Sequence, residues 1–263
     1  MSTPDEMGLT PDAALGYEQF FVPAIFHQWP AKIISAAAIM ENDDVLDIGC
    51  GTGALTREVV KCAGSTTGFD LSESMLGVAR QACPTVTFQQ GNVAELPFDN
   101  SSFDAVVSAF MLMFVPDPKQ AVGQMQRVLR PGGRVVAGIW QGLDNNPVYD
   151  ALVESTREVV DDQSADSMAW PFTMGDIGKL EDIFNVDGLS DISVTPHDGY
   201  AEFPSVEDLV GVEIQAWLLA DSVSAAQITE IAAKLRRKYS DFANIDGPIR
   251  FPLNAFIVRA VSG

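Results

Sequence analysis

The chain has 263 residues, 47% of them hydrophobic, and it carries 16 basic against 36 acidic residues, a net charge of −20 at pH 7. This length and hydrophobic content suit one large α/β domain, or a core with a modest cap. Such an acidic surface repels phosphate backbones and anionic membranes. We therefore expect neither a nucleic-acid partner nor docking to an anionic bilayer.

The cysteines and the apolar runs narrow the class of protein further. Cys50, Cys62 and Cys83 are odd in number and lack the paired spacing of metal ligands. They predict a reducing cytoplasm, with no metal site and no disulfide framework. No run approaches 18 consecutive apolar residues, so we do not expect membrane insertion. The first residues include no positively charged segment, so we do not expect a secretory signal.

The first predicted elements lie between Tyr17 and Ala38. Apolar residues recur there at helical spacing, and Pro23 and Pro30 interrupt the pattern. Because proline breaks a helix interior, the pattern predicts two short helices.

A glycine-rich turn follows the first predicted strand, Val45–Ile48. Asp47 lies near the end of this strand, and glycines occupy alternate positions at Gly49, Gly51 and Gly53. Glycine permits positive φ values and a close approach of backbone to a ligand. The following residues have helical spacing, so the turn predicts a nucleotide-type site at the carboxyl end of a buried strand.

The turn alone leaves two nucleotide classes open. Gly49, Gly51 and Ala54 also fit the dinucleotide fingerprint G-x-G-x-x-G/A. Asp70 falls 21 residues after Gly49, about where a ribose-binding acid is expected. An NAD-dependent oxidoreductase is therefore one reading of these residues.

Short apolar runs then alternate with helical patterns, which predicts a parallel sheet. One helix begins at Asp117-Pro118 and ends at Gly132 and Gly133. Another, Ile228–Tyr239, carries a basic run at 234–238 that we expect to pair with acidic neighbours. The remaining predicted strands are Thr66–Phe69, Val86–Phe88, Ala105–Ala109, Arg134–Trp140, Ile192–Thr195 and Ala255–Val261.

Five motifs that follow one another along the chain distinguish between the two nucleotide classes. They are Asp47-x-Gly49-x-Gly51-x-Gly53, Thr67–Ser72, Gly91–Phe98, Ser102–Val107 and Leu129–Arg134. Together they resemble class I S-adenosylmethionine (SAM) dependent methyltransferases over roughly residues 40–140. Within that family the chain is most similar to the branch of ubiquinone and menaquinone C-methyltransferases and related small-molecule methyltransferases.

The resemblance implies a fold and a division of the chain. The fold is α/β, a doubly wound, mostly parallel seven-stranded sheet with an antiparallel C-terminal strand and a helical lid. We expect one domain, with an N-terminal helical cover at 1–40 and a cofactor-binding core at 41–140. A substrate-side lid at 141–250 includes the sixth strand near 192–195, and the last strand lies within 251–263.

The resemblance also implies the cofactor and its contacts. SAM is the expected cofactor and S-adenosylhomocysteine its product. Asp70 is expected to bind the ribose, Leu71 and Met75 to flank the adenine, and Asn92 to address its polar edge, where this branch more often has Asp. The implied cofactor-binding residues are Asp47, Gly49, Gly51, Thr52, Gly53, Asp70, Leu71, Met75, Asn92, Val93 and Ala109.

The implied reaction is methyl transfer by in-line displacement to the O, N or C atom of a small organic acceptor. A non-catalytic protein that binds the cofactor or a partner is the alternative, and no catalytic residue is assigned. Candidate bases are Tyr17, His27, Asp144, Tyr149, His197 and Tyr200. Candidate acceptor contacts are Phe110, Met111, Met113, Phe114, Trp140, Trp170, Phe172 and Met174.

Overall fold

A computed structural model of the protein describes residues 10–216, 223–239 and 247–263. The helices are α1 (Pro11–Gly16), a π-helix (Tyr17–Phe26), α2 (Trp29–Ala37), α3 (Thr56–Val59), α4 (Glu73–Ala82), α5 (Pro118–Val128), α6 (Pro147–Val159), α7 (Asp162–Ala169), α8 (Ile177–Phe184), α9 (Val206–Ala216) and α10 (Ala225–Lys238). The strands are β1 (Asp44–Ile48), β2 (Ser65–Asp70), β3 (Thr87–Gln90), β4 (Phe103–Ala109), β5 (Leu129–Trp140), β6 (Leu189–His197), β7 (Tyr200–Phe203), β8 (Ile249–Pro252) and β9 (Ala255–Ser262).

Seven strands form the main sheet, in the order β3-β2-β1-β4-β5-β9-β6. The first five strands pair in parallel, and β9 lies antiparallel between β5 and β6. The predicted fold class is confirmed. Strand order reverses between β1 and β4, so the carboxyl ends of β1, β2 and β4 meet at one edge of the sheet, where such folds bind ligands.

The central strands are apolar on both faces. Val106 and Val107 of β4 and Val135 and Val136 of β5 are all fully buried. A parallel sheet covered on both sides needs such continuous apolar runs. The rigid centre of the sheet fixes the positions of the turns that follow each strand.

The N-terminal segment contains the two helices expected between Tyr17 and Ala38, but the first of them is not interrupted at Pro23. It forms α1, the π-helix and α2, and Pro23 lies inside the π-helix. At the end of that helix the His27 amide donates to the Val22 carbonyl at 2.9 Å, five residues back. The expectation of a break at Pro23 was wrong, because loss of one amide donor shifted the bonding pattern without ending the segment.

Two helix boundaries also differ from the prediction. The helix after the glycine turn, α3, has only four residues, and α5 ends at Val128 instead of at the glycine pair. Leu129 already pairs with Phe103, and the Ser102 amide donates to the Val128 carbonyl at 2.8 Å. Pairing with the neighbouring strand therefore ends α5 early.

The C-terminal half contains a second sheet that was not predicted. In it β7 and β8 pair antiparallel, and β8 straddles the expected boundary at residue 250. The strand expected near 192–195 is longer and forms β6. The basic run of α10 does pair with acids, because Lys234 and Lys238 contact Glu158 and Arg236 contacts Glu207.

Arg134 joins the N-terminal helices to the sheet. Its side chain is 11% exposed and forms an ion pair with the buried Asp43. The same guanidinium donates to the carbonyls of Ala37 and Ala38, at 2.8 and 3.1 Å, where α2 ends. Arg134 thus satisfies helix-end carbonyls that no intrahelical amide reaches.

Candidate active site

The glycine turn after β1 is held against the end of β2. Gly49 and Gly51 have φ values of +67° and +53°, and the Gly49 amide donates to the Phe69 carbonyl at 2.7 Å. A side chain at Gly49 would collide with Met111, whereas a Cβ at Gly51 would meet no atom within 4 Å. The backbone of the turn at Gly51 is therefore uncovered at the carboxyl edge of the sheet.

Asp70, the last residue of β2, ties this turn to the start of α4. Its Oδ2 accepts from the Gly51 amide and its Oδ1 from the Ser72 amide, both at 2.8 Å. Its carbonyl accepts from the Gly91 amide at 2.9 Å. These three bonds hold the carboxylate at the edge of the sheet, beside the glycine turn.

Asp47 lies fully buried beneath the turn. Its Oδ2 accepts from the Thr56 hydroxyl at 2.6 Å, and its Oδ1 has no hydrogen-bond partner within the described part of the chain. Burial raises the pKa of Asp47 to about 7, the hydrogen bond from Thr56 opposes this rise, and the negative charge of Asp70 adds to it. Asp47 is thus a carboxyl group that titrates near neutral pH.

A cavity of about 680 Å³ opens above the turn, within the usual range for small-molecule sites. The charged side chains that line it within the described residues are all acidic, namely Asp12, Asp70, Asp117 and Glu213. Eight of the predicted cofactor residues also line it: Gly49, Gly51, Asp70, Leu71, Met75, Asn92, Val93 and Ala109. Asp47 and Thr52 border a smaller cavity of about 40 Å³, and Gly53 borders neither.

Asn92 faces the large cavity with one end of its amide already engaged. Its Oδ1 accepts from the Ala94 amide at 2.9 Å and caps the 3₁₀ turn Val93–Glu95. The side-chain NH₂ group is therefore the part suited to a ligand acceptor. This residue is better placed to donate than to accept.

The expected acceptor contacts divide into two groups. Phe110, Met111, Phe114, Trp140 and Phe172 line the cavity. Phe110 stacks on Trp140 with ring centroids 3.8 Å apart. Met113, Trp170 and Met174 do not line it, and the Trp170 indole donates to the Met113 carbonyl at 2.7 Å.

Only two of the candidate bases reach the cavity, Tyr17 and Tyr149. Burial, with the charges of Asp70 and Glu18, raises the pKa of Tyr17, which keeps its hydroxyl protonated. The other four candidates, His27, Asp144, His197 and Tyr200, do not line the cavity. His27 Nε2 lies 3.2 Å from the Tyr200 hydroxyl instead.

The sequence patterns did not identify a buried acidic side chain in the cavity wall. Glu213 lies on α9 and is 4% exposed. Val206, Leu209, Val210 and Ile214 of the same helix are fully buried, at the spacing of one helix face. Glu213 occupies a position on that apolar face, and an acid at such a position is the sequence signal that could have identified it.

The strand order and the position of the cavity define a class I methyltransferase fold. Residues 46–137 match the sequence profile of the family described as methyltransferase domain. This match confirms the predicted resemblance over that part of the chain.

Among known proteins, a ubiquinone/menaquinone biosynthesis C-methyltransferase of Bdellovibrio bacteriovorus is 37% identical over 134 residues, 49% of this chain and 57% of the relative. The chain thus spans just over half the length of this relative.

The YcgJ protein of Bacillus subtilis has a similar structure, with a TM-score of 0.62, 18% identity and coverage of 90% of this chain and 98% of that one. Phosphoethanolamine N-methyltransferase 2 of Haemonchus contortus, solved with phosphomonomethylethanolamine and S-adenosylhomocysteine, has a TM-score of 0.63 and 19% identity, covering 98% of this chain and 58% of that one. At these identities the two structures support the fold alone.

Within the described ranges, no helix combines the length and apolarity that crossing a bilayer requires. The same residues gather no group of three His, Cys, Asp or Glu side chains placed to hold a metal ion.

Proposed function

We propose that this protein transfers a methyl group from SAM to a small organic acceptor by in-line displacement. One observation carries the proposal: Asp70, tied to the open glycine turn, faces a large cavity at the switch point of the sheet. The methyltransferase domain over residues 46–137 supports the choice of SAM over a dinucleotide.

The residues around the turn suit the parts of SAM. Open backbone at Gly51, in a turn that Gly49 packs against Met111, admits the methionine and ribose portions, and Asp70 accepts hydrogen bonds from the ribose hydroxyls. Leu71 and Met75 form apolar walls for the adenine. We assign the polar edge of the adenine to the Asn92 NH₂ group and the Val93 amide, and contacts near the methionine portion to Thr52 and Ala109.

Asp47 and Gly53 have supporting roles in this proposal. Asp47 lies beneath the turn, and its unpartnered Oδ1 is available to a cationic or hydrogen-bond donor group of the cofactor. Gly53 borders neither cavity, and its φ of +85° suits it to shape the turn.

Catalysis by this site rests on placement. Bound SAM supplies a methyl group on a sulfonium that leaves readily, so the protein need not protonate the leaving group. Holding two reactants in line is worth about 7–11 kcal/mol. Tyr17, Phe21 and Phe26 of the π-helix line the cavity from the N-terminal side and exclude water from it.

The partner of this reaction is a small molecule. The net charge of −20 repels phosphate backbones, which disfavours nucleic acid. A cytoplasmic location remains a prediction from the reduced cysteines.

Replacing Asp70 with Asn tests the cofactor assignment. The amide oxygen can still accept from the Gly51 amide, but the charge and one acceptor group are lost. Because charged acceptors are worth about 1.5–3 kcal/mol per hydrogen bond, we expect at least tenfold weaker SAM binding by calorimetry. Asp99→Asn, an exposed change, is the matched control and leaves affinity unchanged.

Methyl-labelled SAM and a metabolite extract test the reaction itself. We expect label in a small molecule, and thermal stabilisation by S-adenosylhomocysteine but not by NADH. Folded wild-type protein that gives no binding heat with SAM or with its product contradicts the proposed function.

A further inference from the structure

The small cavity beside the glycine turn is bordered by buried polar side chains that lack partners. The described part of the chain contains six buried side-chain atoms without a hydrogen-bond partner. Three of them, Trp29 Nε1, Asp47 Oδ1 and Thr52 Oγ1, belong to residues that line this cavity. None of the three residues is more than 1% exposed. Because an unpartnered buried donor or acceptor is destabilising, three at one cavity indicate a polar group that binds there.

This small cavity adjoins the large one. Its volume is about 40 Å³, and Asp47 is the charged side chain among its described lining residues. A ligand in the large cavity can therefore extend a polar end past the glycine turn. The lining residues that the two cavities share are Tyr17, Phe26, Gly49, Gly51, Ala109 and Phe110.

The three unpartnered atoms differ in what they can bind. A carboxylate oxygen of Asp47 accepts, the indole nitrogen of Trp29 only donates, and the Thr52 hydroxyl can do either. An ammonium and a carboxylate on one carbon atom match this set, because the ammonium donates to Asp47 and the carboxylate accepts from Trp29. Such a zwitterion also brings no net charge into a buried space.

Packing holds the Trp29 ring in place. Trp29 is the first residue of α2, and its ring meets Phe110 and Trp140 edge-on, at centroid distances of 5.4 and 5.6 Å. A side chain at Gly199 would collide with the same ring. These contacts fix the position of the indole N–H before any ligand binds.

Resting on the proposed function, we infer that Trp29 is a specificity-determining residue for the cofactor. Its indole N–H donates to the carboxylate at the amino-acid end of SAM, and Asp47 accepts from the ammonium of the same end. Trp29 lies on α2, outside both the glycine turn and the segment 46–137 that matches the family profile.

Three ligands that share the adenosine and the thioether test this inference. S-adenosylhomocysteine carries the ammonium and the carboxylate, its decarboxylated form keeps the ammonium, and 5′-methylthioadenosine has neither group. Because hydrogen bonds to charged groups are among the stronger ones, we expect wild type to bind the first at least tenfold more tightly than the second. Calorimetry measures the three affinities.

Trp29→Phe keeps an aromatic ring and removes the donor. We expect this variant to bind S-adenosylhomocysteine at least tenfold more weakly than wild type, with its affinity for the decarboxylated form within about twofold. Trp170→Phe is the matched control, because the Trp170 indole donates to the Met113 carbonyl and Trp170 lines neither cavity. It should leave all three affinities unchanged.

The indole nitrogens give a second readout that does not depend on activity. In protein with ¹⁵N-labelled tryptophan, the side-chain N–H resonance of Trp29 is the one that Trp29→Phe removes. We expect this resonance to move downfield when S-adenosylhomocysteine binds, and not when the decarboxylated form binds.

The possible failures are distinguishable. If wild type binds neither SAM nor S-adenosylhomocysteine, the proposed function fails as a whole. Equal affinity of wild type for S-adenosylhomocysteine and its decarboxylated form, or equal losses for both in Trp29→Phe, overturns the assignment of Trp29 alone. A cavity filled only by a water molecule would give that result.

A variant that does not fold still leaves the inference testable. If Trp29→Phe does not fold, variants of the other three tryptophans assign the Trp29 resonance by elimination. No downfield shift of that resonance with S-adenosylhomocysteine then overturns the assignment.

Discussion

At the scale of single residues, Asp47 links the stability of the fold to the chemistry of the cavity. Its side chain is fully buried, and its pKa is raised from 3.8 to about 7. The folded protein therefore binds a proton that the unfolded chain releases between these two pH values. The stabilisation of the folded state by this proton is complete below about pH 4 and is lost as pH rises through about 7.

Asp47→Asn should remove this pH dependence, because the amide does not ionise. Each pKa unit corresponds to about 1.4 kcal/mol. We expect the free energy of unfolding of wild type to fall relative to the variant by up to about 4 kcal/mol between pH 4 and 7. Denaturant titrations of both proteins across this range measure the difference.

The same substitution should weaken SAM binding, since it removes the charge beneath the glycine turn. Stability above neutral pH and cofactor affinity are then expected to change in opposite directions. Parallel pH curves for wild type and variant would show that Asp47 does not titrate in this range.

At the scale of elements, Arg134 connects α2, β5 and the residues before β1. Removal of one partner of a buried ion pair leaves the other charge uncompensated, which costs about 3–5 kcal/mol. We expect Arg134→Met to lower the free energy of unfolding by that amount. Thermal and denaturant unfolding provide the measurement.

Arg130→Met is the matched control for this prediction. Arg130 pairs with Asp44 and Asp104, but 37% of its side chain is exposed. Solvent screens such a pair, so we expect a much smaller loss. Equal losses in the two variants would show that burial of Arg134 is not what makes it important.

Sequence patterns predicted the elements that obey local rules. The strands β1 and β4 were found because buried parallel strands are continuous apolar runs, and α5 because Asp117 and Pro118 mark a helix start. The end of α5 was missed because pairing of Leu129 with β4 depends on a distant strand. The sheet of β7 and β8 was missed for the same reason, since its strands are separated by about 45 residues.

In the candidate site, too, local patterns predicted some residues, whereas contacts between distant parts of the chain were missed. The glycine turn and Asp70 are neighbours in the fold because both follow adjacent parallel strands, which the motif order already indicated. Tyr149 and Glu213 meet across 64 residues of sequence. No local pattern relates them, although an acid on the apolar face of α9 was a detectable sign.

At the scale of the whole molecule, the excess of acidic residues is the dominant electrostatic feature. The net charge is −20, and some basic side chains are already paired, as Arg157 is with three acids. The remaining negative charges repel one another more in the compact state than in the unfolded chain. Screening by salt should therefore stabilise the fold.

We expect the melting temperature to rise as NaCl increases from about 0.02 to 0.3 M, where the Debye length falls from about 20 to 6 Å. For a domain of this size, about 1 kcal/mol of stabilisation corresponds to 2–4 °C. Calorimetric scans at constant pH test this, with equal osmolality of glycerol as the uncharged control. A fall in melting temperature would mean that ion pairs outweigh the repulsion.

The charged side chains that line the cavity, all acidic among the described residues, bear on the proposed turnover. A donor that carries a sulfonium is attracted into such surroundings, whereas the thioether left after transfer has lost that positive charge. For the proposed reaction we therefore expect the cavity to bind SAM more tightly than S-adenosylhomocysteine. Product inhibition is then expected to be weak, because the charges that attract the reactant do not attract the neutral thioether.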